Sequence, residues 1–196
     1  MRAALSASSL EQLFTKAQTA HAFDGSPMSD EAIAALYDLM KWGPTAFNCQ
    51  SARLVFVRSA AAKEKLNPAL SPNNIPQVAS ASVTVIVAYD TKFFEHLPTQ
   101  FPAYDAKPIF ENNAALAQEA AFRNGSLQGA YLICAARALG YDCGPMSGFD
   151  AQKVNEAFFP DGRYKANFLL NIGTAKPEGI YPRGPRLSAA EAYKVL

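Results

Sequence analysis

The sequence predicts an α+β fold, and three observations carry that prediction. Short apolar, β-branched runs read as strands, amphipathic stripes between them read as helices, and one long alanine-rich stretch contains no proline. The strand candidates are Arg53-Leu54-Val55-Phe56-Val57-Arg58, Val83-Thr84-Val85-Ile86-Val87-Ala88 and Phe168-Leu169-Leu170-Asn171-Ile172-Gly173, with a shorter one near Tyr141 to Cys143. No repeat, low-complexity tract or second composition regime interrupts residues 1–196, which are expected to form a single domain.

Taken in order, Leu10, Leu13, Phe14 and Ala17 fall at helical spacing, and so do Ile33, Leu36, Tyr37 and Met40. Ser29 before Asp30 and Glu31 is the N-cap signature of the second helix, and Trp42-Gly43-Pro44 stops it. Ala60 to Leu66 reads as a helix, and Asn67 to Pro76, rich in Asn, Pro and Ser, as a loop. Residues 91 to 111 mix prolines with aromatic rings, which predicts a packed lid without regular structure. Asn112 to Leu139 predicts a helix of about 42 Å at 1.5 Å per residue, stopped by Gly140. Its small residues, scattered around it, predict burial on more than one side, the second side being a subunit interface. Gly144 to Phe149 reads as a glycine-rich turn, Asp150 to Phe158 as a helix, and Ser188-Ala189-Ala190-Glu191 as a capping box opening a last one. Residues 177 to 187 are expected to reach beyond the monomer.

Composition narrows the function classes. The 196 residues carry 18 basic and 17 acidic side chains, a formal charge of +1, with no Lys/Arg cluster. That argues against nucleic acid and an anionic membrane as partners. No apolar run is long enough for a membrane span or a signal peptide, so a cytoplasmic location is expected. Cys49, Cys134 and Cys143 lack CxxC spacing and are expected as reduced thiols, and with only His21 and His96 beside them no metal site is expected. The phosphate-loop, dinucleotide-fold, zinc-protease and hydrolase signatures are absent.

Two loops remain as chemistry candidates. Gly144-Pro145-Met146-Ser147-Gly148-Phe149-Asp150 is either a tight turn or a set of backbone N–H groups facing one point. Trp42-Gly43-Pro44-Thr45-Ala46-Phe47-Asn48-Cys49-Gln50 either hydrogen-bonds a planar heterocycle or satisfies its own backbone. His21 and His96 are candidate bases or ordinary packed histidines. Asp150 is expected as an N-cap.

In order and spacing, these segments resemble the FMN-dependent nitroreductase family. The resemblance rests on Gln18-Thr19-Ala20-His21-Ala22-Phe23, Pro44-Thr45-Ala46-Phe47-Asn48-Cys49-Gln50, Ala81-Ser82, Leu139-Gly140, Pro145-Met146-Ser147-Gly148-Phe149-Asp150 and Arg183-Gly184-Pro185-Arg186. Asp38 to Thr45, Ala121 to Asn124 and Gly144 to Asp150 are similar to the malonic semialdehyde reductase branch. The resemblance implies a three-layer sandwich with a mixed or antiparallel central sheet, and a homodimer built on the long central helix with FMN at its interface.

It also implies site roles. Pro44, Thr45 and Ala46 would pack on the flavin ring from one subunit, with Asn48 and Gln50 placing the loop. Pro145, Met146, Ser147 and Gly148 would lie against the ring's other side, a backbone N–H near Ser147 or Gly148 facing N5. Gln18, Thr19 and His21, Asn74 and Gln77, and Tyr181 with Arg183 stand where the family places its phosphate contacts. Only Arg183, with Arg186 as a second, is a cation there, so looser FMN retention is expected. NADPH or NADH would deliver a hydride, and an aldehyde, or a nitro or quinone acceptor, would receive it; a flavin carrier without turnover is the alternative from another class. No side chain is nominated as a catalytic acid, and Phe110 is the candidate for substrate gating.

Overall fold

The computed structural model describes residues 3–196. Four strands, β1 (Ala52–Val57), β2 (Val83–Asp90), β3 (Asp142–Met146) and β4 (Tyr164–Gly173), form one sheet in the order β1-β2-β4-β3. Every neighbouring pair is antiparallel. The whole of β2 is buried, because it lies inside the sheet with both faces covered. On one face, helix Asp30–Met40 and the central helix Ala114–Ala138 pack over Val83, Val85, Val87, Leu170 and Ile172. On the other, Leu66, Val78 and Val154 from helices Ala60–Leu66, Ile75–Ser80 and Ala151–Phe158 cover Ile86, Ala88 and Leu169. Helix, sheet and helix make three layers.

The cap signals work as the sequence predicts. Ser29 Oγ accepts from Ala32 N (3.2 Å), Asp150 Oδ1 from Gln152 N (3.0 Å) and Lys153 N (3.1 Å), and Ser188 with Glu191 closes a capping box.

Several elements differ from expectation, each for a local reason. The first helix is one α-turn, Ala7–Leu10, followed by a wider π-turn, Glu11–Thr15, and Leu10 and Phe14 remain exposed. Asn67 to Pro76 is not all loop: helix Ile75–Ser80 starts within it and takes Pro76 into its first turn, where the missing N–H has no partner to lose. Residues 91 to 111 contain short helices, Phe93–His96, Leu97–Gln100 and Lys107–Glu111, the last two likewise opened by proline. The predicted turn at Gly144 is partly strand, since Gly144, Pro145 and Met146 belong to β3. Pro145 fits because β3 is an edge strand, where an N–H pointing outward needs no partner.

The central helix runs 25 residues. Asn113 caps it, its Oδ1 accepting from Leu116 N (3.0 Å), and Gly140 ends it at φ 85. Its buried residues, Ala117, Ala120, Ala121, Asn124, Gly125, Gln128, Gly129, Leu132, Ala135 and Ala136, form a single stripe. Within the monomer the helix is therefore buried on one side, not more, and Leu116, Phe122 and Leu127 stand exposed on the rest of it. Small residues on the inner stripe admit the sheet's rings: a Cβ on Gly129 would strike Phe168. The segment after β4 folds back onto its own chain. His21 N donates to Gly179 O (2.9 Å), Ala20 pairs with Ile180, and Arg183 reaches Thr15 and Ala17.

Candidate functional site

The predicted site residues fall into two neighbouring groups and one separate one. Gln18, Thr19, His21, Arg183 and Arg186 line one cavity of about 190 Å³, together with Tyr181 and a residue that sequence reasoning missed, Arg137. His21 stacks on Tyr181 with ring centroids 4.7 Å apart. Arg183 Nη2 donates to Thr15 O (2.9 Å) and Ala17 O (2.7 Å), and Arg186 Nη1 to Gly184 O (2.8 Å) and Pro185 O (3.1 Å). None of the three arginines forms an ion pair among the described residues, and no carboxylate lines the cavity. Guanidiniums left without carboxylates around a small polar cavity make an anion site.

This cavity opens beside β3. Thr19 bridges Cys143, and Ala20 N donates to Cys143 O (2.9 Å). Cys143 thus turns its carbonyl off the open edge, and by the two-residue alternation of a strand Pro145 and Ser147 present their backbones the same way. Pro145 has no N–H to present, whereas the Ser147 N–H has no hydrogen-bond partner among the described residues. Asn74 and Gln77 are brought to the same edge: Asn74 Nδ2 donates to Gly148 O (2.8 Å), and Gln77 Nε2 to Asn74 Oδ1 (3.2 Å). A Cβ on Gly148 would sit 2.9 Å from Asn74 Nδ2, so any larger residue there has to displace the Asn74 amide. Met146 faces the layer of Leu66 and Val154.

The third group, Pro44, Thr45, Ala46, Asn48 and Gln50, lies apart from these. Pro44 O accepts from Tyr131 Oη (2.9 Å), and Ala46 N donates to Asn124 Oδ1 (2.8 Å). Asn124 precedes Arg137 by 13 positions in the sequence, roughly 20 Å along the helix. Gln50 N donates to Thr45 Oγ1 (3.2 Å), and Gln50 Nε2 to Asn48 Oδ1 (3.1 Å) and Gln100 Oε1 (2.7 Å). Asn48 Nδ2 reaches Gln100 O (2.9 Å). Phe47, Asn48 and Gln50 have φ of 51, 48 and 41, left-handed values that non-glycine residues rarely adopt, with Cys49 right-handed between them at φ -70. Phe47 meets Phe101 and Phe110 edge-on at 5.4 and 5.8 Å. Phe110 itself is 5% exposed and also packs on Phe93, so the most exposed ring of the three is Phe47.

A charge network braces that loop. Asp90, wholly buried at the end of β2, receives Arg53 Nη2 (2.9 Å) and Arg163 Nε (3.1 Å), and Arg53 Nη1 donates onward to Gln50 O and Ala52 O (both 2.8 Å). His96 Nε2 lies 3.8 Å from Asp90, outside hydrogen-bond reach.

The two buried thiols, Cys49 and Cys143, are inert. Burial pushes Cys143 up to about 12 and raises Cys49 as well, so both are protonated at neutral pH and neither is a nucleophile. Because the folded value of Cys143 lies above its ordinary 9.0, its contribution to stability is complete below pH 9 and is lost as pH climbs toward 12. Urea midpoints for wild type and Cys143→Ala, followed from about pH 8 to about pH 10.5, are expected to converge; a constant gap contradicts this.

The nitroreductase family pattern matches residues 15–174, and the chain belongs to that family. A Polynucleobacter asymbioticus protein provisionally named an NADH dehydrogenase/NAD(P)H nitroreductase is 52% identical over 196 residues, all of this chain and all of its own. A Ralstonia nicotianae protein with the same provisional name is 52% identical over 192 residues, 98% of each chain. Among solved structures, a provisionally named nitroreductase from Bacillus subtilis superposes with a TM-score of 0.87 at 26% identity, over 97% of this chain and 100% of the other. One from Exiguobacterium sibiricum, solved in complex with FMN, gives 0.85 at 22% identity over 100% and 99%.

Proposed function

We propose that the chain is a cytoplasmic, homodimeric NAD(P)H-dependent FMN oxidoreductase whose acceptor is malonic semialdehyde, reduced to 3-hydroxypropionate. The observation that carries this reading is the uncompensated arginine cavity opening onto the β3 edge with its unpaired Ser147 N–H. A phosphate fits the guanidiniums and a flat heterocycle fits the edge. When bound, FMN supplies a two-electron carrier between NAD(P)H and the acceptor.

The residues divide the remaining work. Arg183 and Arg186 hold the phosphate, with Gln18, Thr19 and His21 adding neutral contacts. Pro145, Met146, Ser147 and Gly148 lie against one side of the ring, the Ser147 N–H supporting charge there, while Asn74 and Gln77 fix that edge. Pro44, Thr45 and Ala46 cover the other side from the neighbouring protomer, with Asn48 and Gln50 holding the loop in shape. The exposed Leu116, Phe122 and Leu127 of the central helix supply the apolar face for that pairing. Phe47, backed by Phe110, is the ring placed to exclude water.

The acceptor rests on the stretches Asp38 to Thr45, Ala121 to Asn124 and Gly144 to Asp150, which contain Asn124, the anchor of Ala46, and Gly148, the seat of Asn74. Nitro compounds are the second reading, favoured by the names of the two relatives at 52% identity. The test runs in two stages. Purified protein loaded with FMN and desalted is expected to keep about one flavin per subunit and to bleach with NADPH or NADH without oxygen. Malonic semialdehyde is then expected to restore the colour faster than a nitroaromatic. A colourless protein refutes the flavin reading, a coloured one that never bleaches leaves a carrier, and the reverse order of acceptors selects the nitro reading.

A further inference from the structure

Two cavities meet around Arg137. The arginine cavity and a neighbouring one, lined by Gln12, Lys16, Gly140, Tyr141, Asp142 and Cys143, share Ala17, Gln18 and Arg137. Arg137 stands in the last turn of the central helix. Its Nη1 donates to Leu13 O (2.9 Å), while its own carbonyl accepts from Gln12 Nε2 (2.7 Å) and Gly140 N (3.0 Å). Two of the three side-chain ties between the Glu11–Thr15 turn and the helix end therefore run through Arg137, the third being a longer bond from Gln12 Nε2 to Ala138 O (3.4 Å). Arg183 grips the far side of the same turn at Thr15 O and Ala17 O.

Leu13 takes only part of a guanidinium that carries five donors in a planar fork. The remainder lines the arginine cavity, where no carboxylate stands among the described residues; the Asp142 carboxylate lines only the neighbouring cavity and accepts from Ala175 N. The position matters electrostatically too. A helix C-terminus is a negative pole, so an anion settling beside it needs a cation on that same turn. Arg137 is the cation in the last turn of this helix.

We propose that Arg137 is a phosphate-binding residue of the flavin site, and that by donating to Leu13 O and to the phosphate at once it couples cofactor occupancy to docking of the N-terminal turn on the central helix. The proposal rests on the FMN reading above and adds a residue whose separation from Leu13 in sequence hides its role.

Riboflavin, which lacks the phosphate, is the discriminating probe. The full chain freed of flavin is titrated with FMN and with riboflavin by flavin fluorescence, for wild type, Arg137→Gln and Arg137→Lys. Arg137→Gln is expected to weaken FMN by about tenfold to a hundredfold, the range of one charge-assisted hydrogen bond, with riboflavin unchanged within about twofold, and Arg137→Lys to recover part of the loss. Tryptic cleavage after the exposed Lys16 is expected to slow with FMN but not with riboflavin, and this protection is expected to disappear in Arg137→Gln. Equal weakening of both flavins assigns Arg137 a purely structural part and overturns the proposal. So does FMN binding that the substitution leaves intact, or Lys16 cleavage indifferent to FMN. Wild-type chain that binds neither flavin removes the FMN reading itself, an outcome distinct from the other three.

Discussion

Replacing Asp90 by asparagine is expected to cost the fold about 3–5 kcal/mol, read as a lowered urea midpoint. The carboxylate is completely buried and both its oxygens are committed. Oδ2 accepts from Arg53 Nη2 (2.9 Å) and Arg163 Nη2 (3.2 Å), and Oδ1 from Arg163 Nε (3.1 Å) and Lys92 N (2.9 Å). Asparagine keeps the shape but removes the charge, and it sets an N–H₂ donor against a guanidinium donor. Two half-buried arginines would then lack their counter-ion, which is the costly way to break a buried pair. The hydrogen bond from Arg163 to Asp90 holds the Arg163 guanidinium above its ordinary value, in line with that pairing.

The damage is expected to reach the site. Arg53 is also the donor to Gln50 O and Ala52 O, and Arg163 Nη1 pairs with Glu95 Oε2 at 2.9 Å at the foot of the 91–111 segment. Losing Asp90 frees both ends of the wall that holds the left-handed Phe47, Asn48 and Gln50. A surface pair such as Lys107 with Glu111 makes the control, since an exposed i,i+4 pair contributes only about 0.3–0.5 kcal/mol. Added salt should diminish the control's small effect and leave that of Asp90→Asn largely in place. An Asp90→Asn loss no larger than the control's rules out a bracing role for the network.

What the sequence reveals and hides follows from how local each cause is. Ser29, Asp150 and Ser188 are legible because a cap is decided within three residues. Val83 to Ala88 is legible because a strand covered on both faces must be apolar throughout. Tyr164 to Asn167 escapes as the start of β4 because it is half-buried and mixed in character. Pro145 misleads: proline signals a turn unless the strand is known to be an edge, and that depends on sheet order. In the central helix, alanine content predicts the helix but not which side is buried; that follows from where Phe168 and Tyr89 press on Gly129 and Gly125. At the site, the loop motifs mark Pro44 to Gln50 and Pro145 to Gly148. Arg137 carries no such signal, because it meets the cavity only once Leu13, 124 positions earlier, has docked against it.

Substituting Gly144 by alanine is expected to weaken FMN binding by about tenfold or more while destabilising the fold by only about 1–3 kcal/mol, the usual cost of one overpacked methyl. Gly144 pairs with Asn171 across β3 and β4, and a Cβ on it would fall inside contact distance of the Ala20 carbonyl oxygen. That atom is backbone, so no rotamer change relieves the collision, and the Thr19–Ala20–His21 segment must lift from the edge. Lifting it strains the bonds from Ala20 N to Cys143 O and from Arg183 Nη2 to Ala17 O, and carries Thr19 and His21 out of the arginine cavity. Gly140→Ala is the matched comparison. Its φ of 85 makes alanine unfavourable, yet among the described residues nothing lies within 4 Å of the added carbon, so stability falls while residues 17–21 stay docked on β3. Calorimetric titration with FMN, alongside amide exchange at residues 17–21, separates the two variants. Gly144→Ala should expose those amides and lose flavin, whereas Gly140→Ala should do neither. Equal flavin affinity in both would mean that the docking of residues 17–21 on β3 does not build the phosphate end of the site, and that its arginines alone suffice.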